Sequence, residues 1–144
     1  MNRLMILLLL IGFSSLAQNG RGERIRAYKT AFITDKLDLS SEEAERFWPV
    51  YNKYQDQLEE IRKEERQEIS SVVSDLENLS EDEANYLIDK GLEYSKRRVD
   101  VQALMVDELR VVISPKKVLK LRRVEESFKR EMLNRFRDNK RKKN

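Results

Sequence analysis

Apolar side chains recur along the chain at the spacing of an α-helix. Behind Ser40, Ser80 and Ser114 they follow one another at steps of mostly three and four residues, and a shorter run of the same kind precedes Ser40. Side chains at this spacing lie on one face of a helix. No segment alternates apolar and polar residues as a half-buried strand does. The pattern therefore predicts an all-α fold, with one short helix followed by three longer ones.

Two similar signals predict where the first two longer helices begin. In each, a leucine and a serine precede a run rich in glutamate, with Ser and Glu three positions apart. This spacing is that of a capping box, in which the serine hydroxyl accepts from the N3 amide and the glutamate accepts from the N-cap amide. The helices are expected to begin at about Ser41 and Glu81. The residues of the two signals are Leu39, Ser40 and Glu43, and then Leu79, Ser80 and Glu83.

The third start signal combines a serine with a proline. Ser114 stands at the expected N-cap position, and Pro115 stands at the first helical position. Proline is favoured there because its missing N–H would have no partner within the helix in any case. The sequence therefore predicts a third long helix that begins at Pro115.

The first two long helices are separated by a short loop, the segment 77–79. Each is expected to hold about 35 residues, which at 1.5 Å per residue is roughly 50 Å. A short connection favours an antiparallel hairpin, and Pro49 inside the first of the two helices is expected to kink it. A thin, curved hairpin would leave part of its apolar surface bare in a single chain. The sequence therefore predicts a homodimer.

The first 17 residues have the composition of a cleavable signal peptide. Arg3 makes the start positive, residues 4–13 are almost wholly apolar, and small side chains at Ser15 and Ala17 form a cleavage signal. The apolar run is about half the length of the roughly 20 residues that a membrane-spanning helix needs. We expect cleavage after Ala17 and export to the periplasm as a soluble protein.

The remainder of the chain is expected to form one domain with a basic extension. Residues 18–134 are of ordinary length for a single domain. Residues 135–144 contain six Lys or Arg and one Asp, a net charge of +5. Charge runs of this kind are usually solvated, so we expect the segment 135–144 to be a disordered tail.

The residue types that most enzymes use are missing. The 144-residue chain has no His and no Cys, so the usual pairs of nucleophile and base cannot be built. Metal ions that prefer imidazole or thiolate would find poor ligands. Charged residues make up 38% of the chain, with both signs mixed at helical spacing, which is typical of a solvated helix surface. We expect no enzymatic activity, no cofactor and no bound metal.

The densest local feature is an aromatic cluster in the segment 47–54. Phe47, Trp48 and Tyr51 belong either to the hydrophobic core or to an exposed patch that holds partners. Adjacent residues on a helix point about 100° apart, so Phe47 and Trp48 are not expected to face the same narrow seam. One of the two is expected to be partly exposed.

Basic side chains recur in the second half of the chain and are candidates for a partner surface. Nucleic acid is a common ligand of such groups, but an exported protein is not expected to meet it. The alternatives are a solvated surface and a surface that contacts acidic lipids or an acidic partner. The basic residues singled out for this surface are Arg97, Arg98, Lys117, Arg122 and Arg123.

These signals, in this order, resemble the Spy/CpxP family of periplasmic proteins, which have a signal peptide, four helices and Leu-Thr-x-x-Gln motifs at helix starts. The segments 39–43 and 79–83 match those motifs with Ser for Thr and Glu for Gln. The segments 47–54 and 113–117 resemble a Bacteroidetes-type branch often labelled sensor of an ECF-type sigma factor. The resemblance implies a curved antiparallel dimer that works without ATP or a cofactor. Metal-sensing relatives use His ligands, and this chain has none.

Three functions are compatible with the sequence. The first is a regulatory adaptor that senses envelope stress by binding a membrane-bound signalling protein. The second is an ATP-independent chaperone, in which apolar stripes beside dense charges hold unfolded proteins weakly. The third is a structural helical dimer without a client. All three act by protein binding in the periplasm, and the first is the leading hypothesis.

Overall fold

The computed structural model describes residues 20, 22–70 and 76–141, and it is helical through almost all of them. No strand occurs in these residues, so the predicted all-α fold is confirmed. A π-helical turn follows the second helix and a short 3-10 turn precedes the third. The four α-helices are α1 (22–37), α2 (Ser41–Glu65), α3 (Glu81–Val112) and α4 (Pro115–Arg141).

The predicted signal peptide over 1–17 lies outside the described residues. Within the part of the chain that the structure describes, no helix is both long enough and apolar enough to cross a membrane. Export and the periplasmic destination therefore stay predictions.

The three long helices begin where the sequence predicted. Ser40 caps α2: its Oγ accepts from the Glu43 amide at 3.1 Å, and the Glu43 carboxylate accepts from the Ser40 amide at 3.0 Å. Ser80 and Glu83 form the same box at the start of α3, with distances of 3.3 and 2.9 Å. Both capping boxes are therefore confirmed. Ser114 precedes α4, and its carbonyl accepts from the Lys117 amide at 2.9 Å.

A residue with a left-handed backbone ends α1. Asp38 has a φ of 51°, a conformation that suits Gly best and that Asp tolerates better than most residues. The next amide, that of Leu39, donates to the Thr34 carbonyl at 3.1 Å. This hydrogen bond to a carbonyl five residues earlier is typical of a Schellman-type helix end. It explains why α1 ends at residue 37, three residues before the N-cap Ser40 of α2.

Residue contacts divide the chain into two compact units, where the sequence predicted one domain over 18–134. The first unit comprises Met1–Leu39 together with Leu119–Asn144, and the second comprises Ser40–Val118. In their described parts, α1 and most of α4 belong to the first unit. The hairpin of α2 and α3 belongs to the second.

The second unit is the predicted antiparallel hairpin. Lys53 on α2 pairs with Glu108 on α3, and Glu64, eleven residues further along α2, pairs with Arg97, eleven residues further back on α3. The ion-paired residues run forward along α2 and backward along α3, so the two helices are antiparallel. The helices have 25 and 32 residues and are shorter than the 35 expected. Their buried side chains include Phe47, Tyr51, Tyr54, Leu58, Ile61, Leu87, Tyr94, Met105 and Leu109.

The first unit has an aromatic cluster shared by α1 and α4. The Phe128 ring lies 5.7 Å from the Tyr28 ring and 5.5 Å from the Phe32 ring, centroid to centroid. Tilted rings at these distances are favourable beyond the area they bury. Ile33 and Leu37 on α1 are also buried. These residues repeat at the helical steps that the sequence showed for this segment.

The basic C-terminal segment does not begin as a disordered tail. Helix α4 continues through Arg141, so the boundary expected at residue 134 is wrong for the residues up to 141. Arg135 donates to Glu131, one turn earlier, and its guanidinium lies 4.4 Å from the centre of the Tyr28 ring. Basic side chains near a helix C-terminus also interact favourably with the helix dipole. Arg135 therefore belongs to the folded first unit.

Candidate binding surfaces

The start of α2 is tied to the start of α4 by a single carboxylate. Glu43, which closes the capping box of α2, also accepts from Lys117 Nζ at 2.6 Å. The hydrogen bonds from Lys117 and then from the Ser40 amide hold the pKa of Glu43 below its ordinary value. Lys117 was predicted to belong to a partner surface. That prediction is wrong, because the Lys117 side chain is three-quarters covered and its ammonium group is ion-paired within the second unit.

The aromatic cluster of α2 is mainly core. Phe47 has no exposed surface and Tyr51 retains only 2%, and their rings stack 5.3 Å apart. Of the two alternatives that the sequence left open for Phe47 and Tyr51, the partner surface is therefore wrong, because α2 turns both side chains towards the interior of the hairpin unit. Trp48 is half-buried and meets both rings edge-on. The expected split between Phe47 and Trp48 is confirmed, and Trp48 alone keeps an exposed part.

Two further cations assigned to the surface by sequence hold the hairpin together. Arg97 on α3 donates to Glu64 on α2 at 2.6 Å, and Arg98 donates to Glu65. The hydrogen bond from Arg97 to Glu64 is the main reason why the pKa of Arg97 is raised. Arg98 is less than a third exposed. Neither guanidinium is a free ligand for a partner, so these two assignments are corrected as well.

Clusters of a tyrosine, a glutamate and a cation join helices at three places that sequence reasoning missed. In the first, Tyr54 and Lys53 on α2 both donate to Glu108 on α3, at 2.5 and 2.7 Å. The hydrogen bonds from Lys53 and Tyr54 lower the pKa of Glu108. The same carboxylate raises the pKa of Tyr54 and of Lys53.

The second cluster lies near the closed end of the hairpin. Glu68, in the π-helical turn, accepts from Tyr94 and from Tyr86 of α3, and Lys90 lies 3.7 Å away. These two hydroxyl donors lower the pKa of Glu68. The acceptor carboxylate, together with desolvation, raises the pKa of Tyr94 to about 12. The π-helical turn thus carries a side chain that ties its end of α2 to α3.

The third cluster lies in the first unit. Tyr28 on α1 donates to Glu131 on α4, and Arg135 donates to both of them. The hydrogen bond from Tyr28, followed by that from Arg135, lowers the pKa of Glu131. No local motif marks any of the three clusters, because their members come from different helices. Only the register between the helices brings them together.

The remaining cations assigned by sequence stay at the surface. Arg122 is 88% exposed and pairs loosely with Glu126, one turn on, at 3.5 Å. Arg123 is exposed and lines an open cleft of about 460 Å³ in the first unit. We name this feature the cationic cleft, and its lining residues are Lys36, Lys120, Arg123, Val124 and Ser127.

Helix α3 has a second apolar face that nothing covers within the described residues. Ile88, Leu92 and Val99 are 60, 65 and 61% exposed, and Val106 on the same face is partly exposed. At 100° per residue these four fall within about 40° of the helix circumference. The buried side of α3 is centred roughly 110° away. We name these four residues the α3 row.

The described residues contain no cluster of three or more side chains able to hold a metal ion. Comparison of the chain with family models, with curated proteins and with solved structures gave no match. The binding surfaces above therefore rest on the geometry of this chain alone.

Proposed function

We propose that this protein acts by binding other proteins in the periplasm, as an envelope-stress sensor or adaptor of the Spy/CpxP kind. The α3 row is the observation that carries the proposal. Exposed apolar side chains that stand singly are ordinary, whereas several that are aligned on one face of a helix mark a candidate interaction site. The resemblance of the helix-start motifs supports the family, and the N-terminal apolar segment supports export.

The spacing of the α3 row indicates that its partner is a helix. Ile88, Leu92, Val99 and Val106 follow one another at steps of four, seven and seven residues. Ser95 and Gln102 stand at the two positions between them that complete a heptad pattern. Such a pattern is the seam of a coiled coil, in which side chains from one helix insert between those of another. A helical partner would cover the whole row at once.

A second copy of the chain, with its α3 antiparallel to the first, is the occupant that the charges favour. The first turn of α3 carries Glu81 and Asp82, and the last turn carries Arg110. An antiparallel pair centred between Ile88 and Val106 brings each acidic turn close to the other copy's Arg110. A parallel pair would set like charges side by side, which is unfavourable. This interface supplies the homodimer that the sequence predicted.

In this proposal the dimer is the form that meets a membrane-bound signalling protein. The support for a membrane-bound partner is the resemblance to the sensor-like branch. No ATP or cofactor is needed, because the partner is held by surface complementarity alone. Release and rebinding of the partner would then report on the state of the envelope.

The experiment compares a variant of the row with a matched control. In the row variant Ile88, Leu92 and Val99 are changed to Ser. In the control Leu104, Val111 and Leu119 are changed to Ser; these apolar residues lie outside the row and are 55, 84 and 80% exposed. Sedimentation equilibrium at micromolar concentration should show a dimer for the wild type and the control, and a monomer for the row variant. A monomeric wild type would contradict the interface.

Partner binding is tested separately, by crosslinking and capture from native envelopes. The wild-type protein should recover one defined membrane protein, and the row variant should recover much less of it. If the wild type recovers no membrane protein, the adaptor function is rejected, whatever the oligomeric state.

Further exposed apolar residues make a chaperone the second candidate. Tyr86, Leu104 and Val111 on α3 are 52, 55 and 84% exposed and stand among charged side chains. A protein with such a mixed surface can bind unfolded chains weakly and still stay dispersed in water. Stoichiometric protein should then suppress the light scattering of a denatured client. Suppression that persists in the row variant would favour this function over the adaptor, and no suppression at any ratio would remove it.

A further inference from the structure

The cationic cleft brings together three basic side chains from two helices. Lys36 comes from α1, whereas Lys120 and Arg123 come from α4. Among the described residues no carboxylate lines the cleft, and Val124 and Ser127 complete its lining. A volume of about 460 Å³ is within the range of small-molecule sites. The cleft therefore combines three cations with one apolar side chain and one hydroxyl group.

The cations of the cleft are only weakly compensated. Lys36 lies 3.6 Å from Asp35, a neighbour that is itself 77% exposed, and its charge also reaches Glu131. Neither Lys120 nor Arg123 forms an ion pair through its side chain within the described residues. Three like charges that converge on one concavity raise the local concentration of anions. The site is thus complementary to an anionic group.

The exposed face of α4 continues the positive charge beyond the cleft. Residues 119–141 hold nine Lys or Arg against four Asp or Glu, a net charge of +5. Two exposed leucines, Leu119 at 80% and Leu133 at 52%, stand between cations on this face. A helix face that mixes Lys and Arg with large apolar side chains is typical of helices that lie on a membrane surface.

A phosphate in a lipid headgroup meets both requirements. Its charge matches Lys36, Lys120 and Arg123, and guanidinium and ammonium groups are the usual protein ligands of phosphate. Its acyl chains lie beside it, where Leu119 and Leu133 can enter the interface. A free phosphate ion would use the cations and leave the apolar residues unused.

We propose that the cationic cleft binds the phosphate of an anionic lipid headgroup, and that the exposed face of α4 rests on the membrane surface around it. Anionic surfaces attract Lys and Arg over a distance of about one Debye length. This binding is additional to the protein binding proposed above and uses a different part of the chain. It would place the protein on the surface where a membrane-bound partner is found.

The test measures co-sedimentation of the full chain with vesicles. Vesicles of phosphatidylcholine with phosphatidylglycerol should bind the protein, and vesicles of phosphatidylcholine alone should not. Binding to both kinds of vesicle would overturn the proposal, because the binding would then depend on apolar contacts and would not need an anionic headgroup. Absence of binding to either at low salt would overturn it too. Neither result bears on the dimer formed through the α3 row.

Matched variants locate the binding within the chain. In the cleft variant, Lys120→Glu and Arg123→Glu are combined. In the control, Lys129→Glu and Arg137→Glu make the same change of charge on the same helix outside the cleft. Each cation near an anionic surface contributes to binding, so the control should weaken binding a few-fold, and the cleft variant roughly ten times more. Equal losses would show diffuse attraction and overturn the cleft as the site.

A single substitution tests whether the site needs both helices. The single change Lys36→Gln should weaken vesicle binding, because the site needs α1 as well as α4; no effect would contradict the two-helix cleft.

Competition experiments separate the sources of the anion. Inorganic phosphate at millimolar concentration and constant ionic strength should not displace the protein from vesicles. Displacement by phosphate would identify a free ion as the ligand. Displacement by poly-glutamate below the concentration of competing lipid would identify an acidic polypeptide. Either result would overturn the lipid assignment.

Discussion

Glu43 and Lys117 are 74 residues apart in sequence, and the Glu43 carboxylate accepts a hydrogen bond from Lys117 Nζ at 2.6 Å. The same carboxylate closes the capping box at the start of α2. Lys117 stands in the first turn of α4, where a positive charge is unfavourable for the helix dipole. The pair offsets that disadvantage and links the start of one helix to the start of another. Within the described residues, Glu83 of the α3 capping box forms no ion pair with a Lys or Arg, and its hydrogen bonds are to Ser80.

The substitution Glu43→Gln should therefore destabilise the protein more than Glu83→Gln. Glutamine can still close a capping box, so both variants keep that feature, and only Glu43→Gln loses an ion pair. Urea unfolding monitored by circular dichroism should give a lower midpoint for Glu43→Gln and a midpoint close to that of the wild type for Glu83→Gln. High salt should narrow the difference. Equal midpoints would mean that Lys117 contributes nothing through Glu43.

Removal of either cap serine should weaken its helix start. Ser40→Ala and Ser80→Ala each delete the hydroxyl that accepts from the N3 amide, at an expected cost of about 1 kcal/mol. Ser41→Ala, at the first helical position, is the matched control and should change the free energy of unfolding little. The measurement is urea unfolding of the three variants. Unmoved midpoints for Ser40→Ala and Ser80→Ala would favour a role for these serines in binding.

Two positions on α3 should differ sharply in their tolerance of truncation. Leu109 has no exposed surface, whereas Val111, two residues on, is 84% exposed. Leu109→Ala leaves a cavity and should cost about 2–5 kcal/mol. Val111→Ala should stay within about 0.5 kcal/mol of wild type. Thermal and urea unfolding measure both, and similar costs would place α3 in a different orientation.

Acid should unfold the protein through the carboxylates of the three clusters. The pKa of Glu68, like that of Glu108 and Glu131, is lowered from an ordinary value of 4.5. A lowered pKa adds stability that is complete above the ordinary pKa and is lost as the pH falls through the folded value. The urea midpoint should hold down to about pH 5 and then decline.

The contribution of Glu68 to that decline can be isolated. Combined Tyr86→Phe and Tyr94→Phe substitutions remove the two hydroxyl donors that lower the pKa of Glu68. The variant should be less stable at neutral pH, and its urea midpoint should fall less steeply below pH 5. If the urea midpoint of the variant falls with pH as steeply as that of the wild type, the two tyrosine hydroxyls do not lower the pKa of Glu68 in solution.

Tyr94 should titrate late at alkaline pH. Its pKa is raised from 10.0 to about 12, first by the hydrogen bond to Glu68 and then by desolvation. A raised pKa means stability that is complete below pH 10 and is lost as the pH rises towards 12. Tyrosinate absorbance should show a late component that is absent from Tyr94→Phe and from the chain in urea. Its persistence in Tyr94→Phe would assign the late component to another tyrosine.

The sequence by itself determined the helices and the first residues of the three long ones. Capping is a local matter: Ser40 and Glu43 meet because they stand three positions apart, and Ser80 and Glu83 do the same. The end of the chain was harder to predict. Helix α4 runs through Arg141, whereas the basic composition of the segment 135–144 predicted a disordered tail. Arg135 contacts Glu131 and the Tyr28 ring, and only Glu131 is a neighbour in sequence.

Only the tertiary structure decided which candidate side chains are available to a partner. Arg97, Arg98 and Lys117 look like Arg122 and Arg123 in the sequence, yet the first three are ion-paired to residues of α2, and the last two remain at the surface. The register of the antiparallel hairpin determines which carboxylate meets which cation across it. That register depends on the packing of residues far apart in sequence, which helical spacing alone does not specify.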